Sequence, residues 1–150
     1  SERPRFLVHG YDYKGGIARL RRLVADLDLE QRVEIEGVVA GASKRDFLQR
    51  AEGYVHASRW ECHSTALLEN LALGVPCLVS SSIHIAAPLG RAGAALLTAP
   101  TVESLREKLV ELSRRREELA RSGRSFVRDG FAWNRIIPAY LGALQGLGAT

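Results

Sequence analysis

Short apolar runs alternate with longer amphipathic segments along this chain, and this alternation most constrains its fold. The predicted strands lie at residues 6–8, 32–37, 54–57, 77–79 and 94–97. The intervening segments carry apolar residues at helical spacing, as in 17–29, where Ile17, Leu20 and Val24 share one face. Strands that alternate with helices are typical of a parallel, doubly wound sheet. We therefore predict an α/β fold, formed as a single domain over residues 1–150.

Residues suited to helix ends predict the limits of the helices. Ser43 is predicted to cap a helix that runs to about Ala51. Ser64 is predicted to cap a helix that stops at Leu73, because Gly74 and Pro76 follow it. The other helical predictions are one turn at 85–90, a charged helix at 102–120 capped by Thr101, and a C-terminal helical stretch at about 131–147, in which Pro138 is expected only at a kink or a fresh start.

Composition narrows the classes of function. The net charge is +4 and the pI is about 9.4, a balance that favours phosphates or anionic membranes as partners. Basic residues are not interleaved with aromatic ones, so we expect no nucleic-acid partner. The Gly-x-Gly-x-x-Gly fingerprint is absent, which argues against a nicotinamide-dependent dehydrogenase. No apolar run approaches the roughly 20 residues that a membrane-spanning helix needs.

The cysteines and histidines do not form a metal site by their spacing. Cys62 and Cys77 make no Cys-x-x-Cys pair, so we predict free thiols and a reducing, cytoplasmic location. No two histidines have ligand spacing, so no metal is expected. His9 and His56 fall in predicted strands and are interpreted as packed, hydrogen-bonded side chains. His63 is the histidine with the best functional placement.

The segment from Glu61 to Pro76 carries the chemistry. Glu61 and Glu69 stand eight residues apart and bracket the predicted N-terminus of a helix. The free N–H groups and positive dipole end of such a terminus suit a diphosphate. A carboxylate accepts hydrogen bonds from a diol, so a ribose or a hexose is its natural partner. Taken alone, Glu69 is better explained as a solvated helix residue, and Glu61 as a loop acid paired with Arg59.

This segment resembles the Glu-x7-Glu motif of family 4 glycosyltransferases, which have two Rossmann-like domains in the GT-B arrangement. The positions that match the motif are Ser58, Arg59, Glu61, Leu67, Leu68, Glu69, Ala72, Gly74 and Pro76. Weaker similarity extends over nearly the whole chain, at 7–10, 27–37, 90–96, 131–134 and Tyr140. The resemblance implies a Rossmann-like C-terminal half of a GT-B fold.

The resemblance also implies a function and a set of site residues. It implies a retaining glycosyltransferase that moves a sugar from a UDP-, GDP- or ADP-sugar to a sugar or lipid-linked acceptor, without cofactor or metal. Glu61 would face the donor sugar and Glu69 the ribose. The backbone of His63, Ser64, Thr65 and Ala66 would contact the sugar and the diphosphate. Gly37 and Val38 would lie beside the nucleobase.

Departures from the motif leave other functions open. Cys62-His63-Ser64 replaces a family Gly-Phe-Gly, which would suit a degenerate, non-catalytic module. A different GT-B enzyme, such as a nucleotide-sugar epimerase, is the third alternative. The basic surface would also allow peripheral contact with a membrane.

The resemblance further implies that the chain is a fragment. The family's first strand and helix, and an N-terminal acceptor-binding domain, would lie upstream of Ser1. Because buried unpaired strand edges are costly, we expect the gap to close by pairing of 6–8 with 54–56, in the strand order 2-1-3-4-5. A strand donated by a second chain, in a dimer, is the alternative.

Overall fold

The computed structural model describes residues 5–147 of the chain. These residues form an α/β arrangement of parallel strands and helices, which confirms the predicted fold class. The chain divides into two compact units at Phe47 and Leu48, and each unit is described by itself. The assignment of residues 1–150 to one domain stays a prediction. None of the described helices is long and apolar enough to cross a bilayer.

The first unit is built on two parallel strands. Its elements are β1 (Phe6–His9), α1 (Gly16–Asp26), β2 (Val33–Glu36) and α2 (Ala42–Gln49), the last of which runs into the second unit. Phe6 lies opposite Val33 and His9 opposite Glu36. Helix α1 ends earlier than the predicted 17–29. It stops because Asp28 adopts a left-handed conformation (φ 53°) and the N–H of Leu29 donates to Val24 O, which closes the helix.

The second unit surrounds a three-stranded parallel sheet. Its elements are β3 (Tyr54–His56), α3 (Thr65–Leu73), β4 (Cys77–Ser80), α4 (Ala86–Arg91), β5 (Leu96–Thr98), α5 (Val102–Arg114), α6 (Arg116–Phe131) and α7 (Trp133–Leu147). Strand β4 is central and wholly buried. Cys77 and Val79 join a core with α3 and α4, whereas Leu78 joins a core with α5. Helices therefore cover both faces of this sheet, as a doubly wound fold requires.

Two helices stand where one long charged helix was predicted at 102–120. Helix α5 stops at Arg114, and α6 begins at Arg116 and continues to Phe131. Between them the backbone of Arg115 leaves the helical region (φ −109°, ψ 19°), and its side chain pairs with both Glu111 and Glu118. The break allows α6 to return its buried Leu119 to the α5 core.

Most limits of helices and strands that were predicted from local sequence signals agree with the structure to within a few residues. Thr101 caps α5 by accepting from Ser104 N at 3.3 Å, as predicted. Ser43 is not a cap: it lies inside α2 and its hydroxyl donates to Ala40 O at 2.9 Å. Strand β5 begins at Leu96, two residues later than predicted, and the final helix begins at Trp133. Pro138 lies inside that helix.

The predicted pairing of β1 with β3 is wrong. Among residues 5–147 the strands form two sheets, β1-β2 and β3-β4-β5. The predicted neighbours within each sheet are therefore correct, but the predicted pairing that joins the two sets of strands is not found. The prediction assumed a buried strand edge. The residues Phe6, Leu7 and Val8 of β1 are in fact 37–50% exposed, and Val55 is the exposed residue of β3, at 36%. A short edge that water can reach carries no large penalty for unpaired groups.

Candidate functional site

The two motif glutamates bracket a well-capped helix start in the second unit. The Ser64 hydroxyl accepts from Leu67 N at 3.3 Å and begins α3, as predicted. Gly74 ends α3 in a left-handed conformation (φ 75°), and Val75 N donates to Asn70 O. These caps at both ends fix the helix that carries Glu69, while Glu61 lies in the preceding loop.

The loop of residues 57–64, here called the site loop, is held by the loop that follows the neighbouring strand. The Ser82 hydroxyl donates to Ser58 O at 3.4 Å, and His84 N donates to Glu61 O at 3.4 Å. Both loops leave the carboxyl ends of parallel strands, β3 and β4. That edge is where open α/β sheets bind their ligands.

The Glu61 carboxylate faces a histidine that ends β3. Glu61 Oε2 lies 3.6 Å from His56 Nε2, and the two side chains are 34% and 9% exposed. On the opposite side of the ring, His56 Nδ1 lies 3.1 Å from the Tyr54 hydroxyl. Burial lowers the pKa of His56, and the nearby charge of Glu61 opposes this only in part. The ring is therefore neutral near pH 7.

Glu61 and Glu69 both affect the pKa of the Tyr54 hydroxyl. Burial raises the pKa of Tyr54 to about 12. The charges of Cys77, Glu61 and Glu69 contribute smaller parts of this same rise. Both acids therefore lie close enough to Tyr54 for their fields to reach it, although one is on a loop and the other on a helix. Glu69 is half-buried in α3.

The remaining predicted residues of this segment lie at the start of α3. His63 is exposed, and its ring centroid stands 6.1 Å from that of Phe131. Thr65 is exposed and opens the helix, and the carbonyl of Ala66 accepts from Asn70 Nδ2 at 2.8 Å. The backbone of these residues forms the helix terminus for which a diphosphate role is predicted.

Gly37 and Val38 belong to the first unit and directly follow β2. The Gly37 carbonyl lies 3.2 Å from His9 Nδ1, and Val38 is 46% exposed. His9 is largely enclosed and packs edge-on against Phe47, with ring centroids 4.4 Å apart, as expected of a packed histidine. The nucleobase role of Gly37 and Val38 stays a prediction.

Sequence reasoning missed Tyr54 and His56 as members of the site. His56 was interpreted as a packed strand histidine, and it is indeed buried. A signal was present, because His56 is the last residue of its strand and so stands at the ligand-binding edge of the sheet. Tyr54, two residues earlier, points to the same face as His56 because strand side chains alternate.

Solved structures of known proteins share this fold. Sucrose-phosphate synthase from Thermosynechococcus elongatus superposes with a TM-score of 0.79 at 22% identity, over 95% of this chain and 38% of that one. Anabaena Alr3699/HepE, solved in complex with UDP, superposes with a TM-score of 0.83 at 16% identity, over 95% of this chain and 41% of that one. WaaG, a glycosyltransferase involved in lipopolysaccharide biosynthesis, superposes with a TM-score of 0.71 at 20% identity, over 83% of this chain and 34% of that one. This chain thus spans well under half the length of these proteins.

Comparison of the sequence gives the family. No curated protein matches the chain. The structural neighbours are glycosyltransferases of the GT-B fold, and at these identities the likeness establishes the fold alone. The family described as "Glycosyl transferases group 1" matches residues 1–115, which is most of the 150-residue sequence. The chain therefore belongs to the group 1 glycosyl transferases.

Proposed function

We propose that this chain forms the nucleotide-sugar-binding part of a retaining, metal-independent glycosyltransferase. The donor is a UDP-, GDP- or ADP-sugar, and the acceptor is a sugar or a lipid-linked acceptor bound by a separate N-terminal domain. The observation that carries the proposal is the placement of Glu61 and Glu69 on either side of the α3 N-terminus, at the carboxyl edge of a parallel sheet. Family membership, and a neighbour solved with UDP, support it.

Each part of the donor finds a suitable group in this arrangement. Glu69 accepts hydrogen bonds from the ribose diol, and Glu61 from hydroxyls of the transferred sugar. The backbone amides of His63 to Ala66 and the positive end of the α3 dipole receive the diphosphate. For Gly37 and Val38, the proposed place beside the nucleobase rests on the family resemblance alone. Holding the leaving diphosphate by amides stabilises the charge that develops on it as the glycosidic bond breaks.

The ribose role of Glu69 is tested by calorimetric titration with UDP, GDP and ADP. Glu69→Ala should weaken the tightest of these by about 1–3 kcal/mol, the loss expected when a charge-assisted hydrogen bond is removed. This corresponds to a roughly 5- to 150-fold rise in Kd. Glu107→Ala, which changes an exposed acid on α5, is the matched control and should leave the affinity unchanged. An unaltered Kd for Glu69→Ala would remove the ribose role.

One observation favours the alternative of a non-catalytic module. The Ser64 hydroxyl accepts from Leu67 N at 3.3 Å and so occupies a first-turn amide of α3, next to the His63–Ala66 amides proposed for the diphosphate. In the related motif this position is glycine, which has no side chain to compete. If the folded protein binds none of the three nucleoside diphosphates at millimolar concentration, the non-catalytic module is the better description of this chain.

A further inference from the structure

His56 holds a place between two other polar groups of the site. It is the last residue of β3, and its side chain is only 9% exposed. Nδ1 lies 3.1 Å from the Tyr54 hydroxyl, and Nε2 lies 3.6 Å from Glu61 Oε2. Nε2 is buried and has no hydrogen-bond partner among the described residues. A buried polar nitrogen without a partner is uncommon in folded proteins and calls for an explanation.

The protonation of the three groups determines which ring nitrogen carries the proton. Burial lowers the pKa of His56, so the ring is neutral and holds a single N–H. Burial raises the pKa of Tyr54 to about 12, so its hydroxyl keeps its proton at neutral pH. With Glu61 facing Nε2, the favourable arrangement has Tyr54 donating to Nδ1 and the ring proton on Nε2, directed at the carboxylate.

We propose that His56 is a positioning residue that orients the Glu61 carboxylate toward the donor sugar, with Tyr54 fixing the tautomer of its ring. The inference rests on the donor-sugar role proposed above for Glu61. At 3.6 Å the contact between Nε2 and Oε2 is longer than a hydrogen bond. Such contacts are often long without ligand and shorten when substrate binds.

The site loop gives Glu61 little other side-chain support. Its backbone is held through His84 N, but within residues 5–147 its carboxylate makes one ionic contact, to His56. A carboxylate has acceptor sites on both oxygens, so Oε2 can engage His56 while Oε1 remains for a sugar hydroxyl. Tyr54 would orient the ring of His56, and His56 would orient the Glu61 carboxylate. In a catalytic triad, likewise, one group orients the histidine that acts on another group.

The ring itself provides the first test. Long-range ¹H–¹⁵N NMR spectra of the intact chain report the tautomer of each histidine, and His56→Gln assigns the signal. We expect the Nε2–H tautomer in the unaltered protein, a change at Nε2 in Glu61→Gln, and a mixture of tautomers in Tyr54→Phe. An Nδ1–H ring, or an Nε2 signal that does not respond to Glu61→Gln, overturns the inference whether or not any donor binds.

The second test separates positioning from a general structural role. Titrations use UDP, GDP and ADP, and then the glucose conjugate of the one that binds best. His56→Ala should weaken the conjugate about tenfold and leave the nucleoside diphosphate unchanged, because Glu61 faces only the sugar. His56→Gln, whose amide can donate from a similar place, should recover most of the loss. Equal weakening of both ligands contradicts the inference; a wild-type chain that binds neither contradicts the proposed function instead.

Discussion

The packing of α6 against α3 can be tested with two glycines of the same helix. Gly123 is buried in α6, and a Cβ built on it would stand 2.9 Å from Leu71 Cδ2 and 3.4 Å from the carbonyl of Ala94. Gly130, one residue before the end of α6, has nothing within 4 Å of such a Cβ. The first site is therefore closed to a methyl group and the second is open.

The two substitutions to alanine should act in opposite directions. Replacing a helical glycine by alanine stabilises by up to about 1 kcal/mol, which is the whole effect expected at Gly130. At Gly123 an overpacking cost of about 1–3 kcal/mol opposes this gain, because Leu71 is fully buried and cannot withdraw freely. Gly123→Ala should therefore be about 1–3 kcal/mol less stable than Gly130→Ala, and Gly123→Val less stable still.

Urea denaturation followed by circular dichroism at 222 nm measures this difference. For a chain of this size, 1 kcal/mol corresponds to a change in Tm of about 2–4 °C, so thermal unfolding provides a second reading. If Gly123→Ala and Gly130→Ala shift stability by the same amount, the close approach of α6 to α3 is not as described. The position of α3, and with it that of Glu69, would then need another explanation.

Three further predictions follow from the site. Ser64→Gly should cost α3 only a few tenths of a kcal/mol and free Leu67 N as a further first-turn amide beside those of His63–Ala66, so nucleoside diphosphates should bind several-fold tighter; unchanged or weaker binding would contradict this competition. Sugar transfer, assayed in a protein that contains this chain, should survive EDTA, and a loss restored by Mn²⁺ would refute metal independence. Because burial lowers the pKa of His56, the unfolded chain binds a proton on this histidine more readily than the folded chain as pH falls below about 6.5. The free energy of unfolding should therefore decrease with falling pH in this range, and it should decrease less steeply in His56→Gln. Equal pH slopes for the two proteins would refute this.

Features that depend on neighbouring residues could be predicted from the sequence. The start of α3 at Ser64 and its end at Gly74 follow from a side-chain cap and a left-handed glycine, both of which act over a few residues. The alternation of strands and helices was likewise readable, because each element buries one face or one run of apolar side chains. The Glu-x7-Glu spacing then placed both acids around that helix start.

Features that depend on distant residues could not be predicted. The break at Arg115 lies within a run of charged residues that gives no signal of a helix end. Gly123 is a residue type that disfavours helices, although in this helix it permits close packing on Leu71. The division of the strands into two sheets, β1-β2 and β3-β4-β5, is not marked by any local pattern in the sequence. The contact between His56 and Glu61 required knowledge of where the site loop turns after β3.

The central position of β4 has a consequence for how the site comes into being. Its residues belong to both hydrophobic cores, and it is the one described strand with a neighbour on each side. The layers on the two faces of this sheet are thus coupled through a single strand and should unfold together. The site loop follows β3 and is hydrogen-bonded to the loop that follows β4, so its geometry exists only once that cooperative unit has formed. Loss of a buried contact far from Glu61, on either face of β4, would therefore lower the fraction of molecules able to hold a donor.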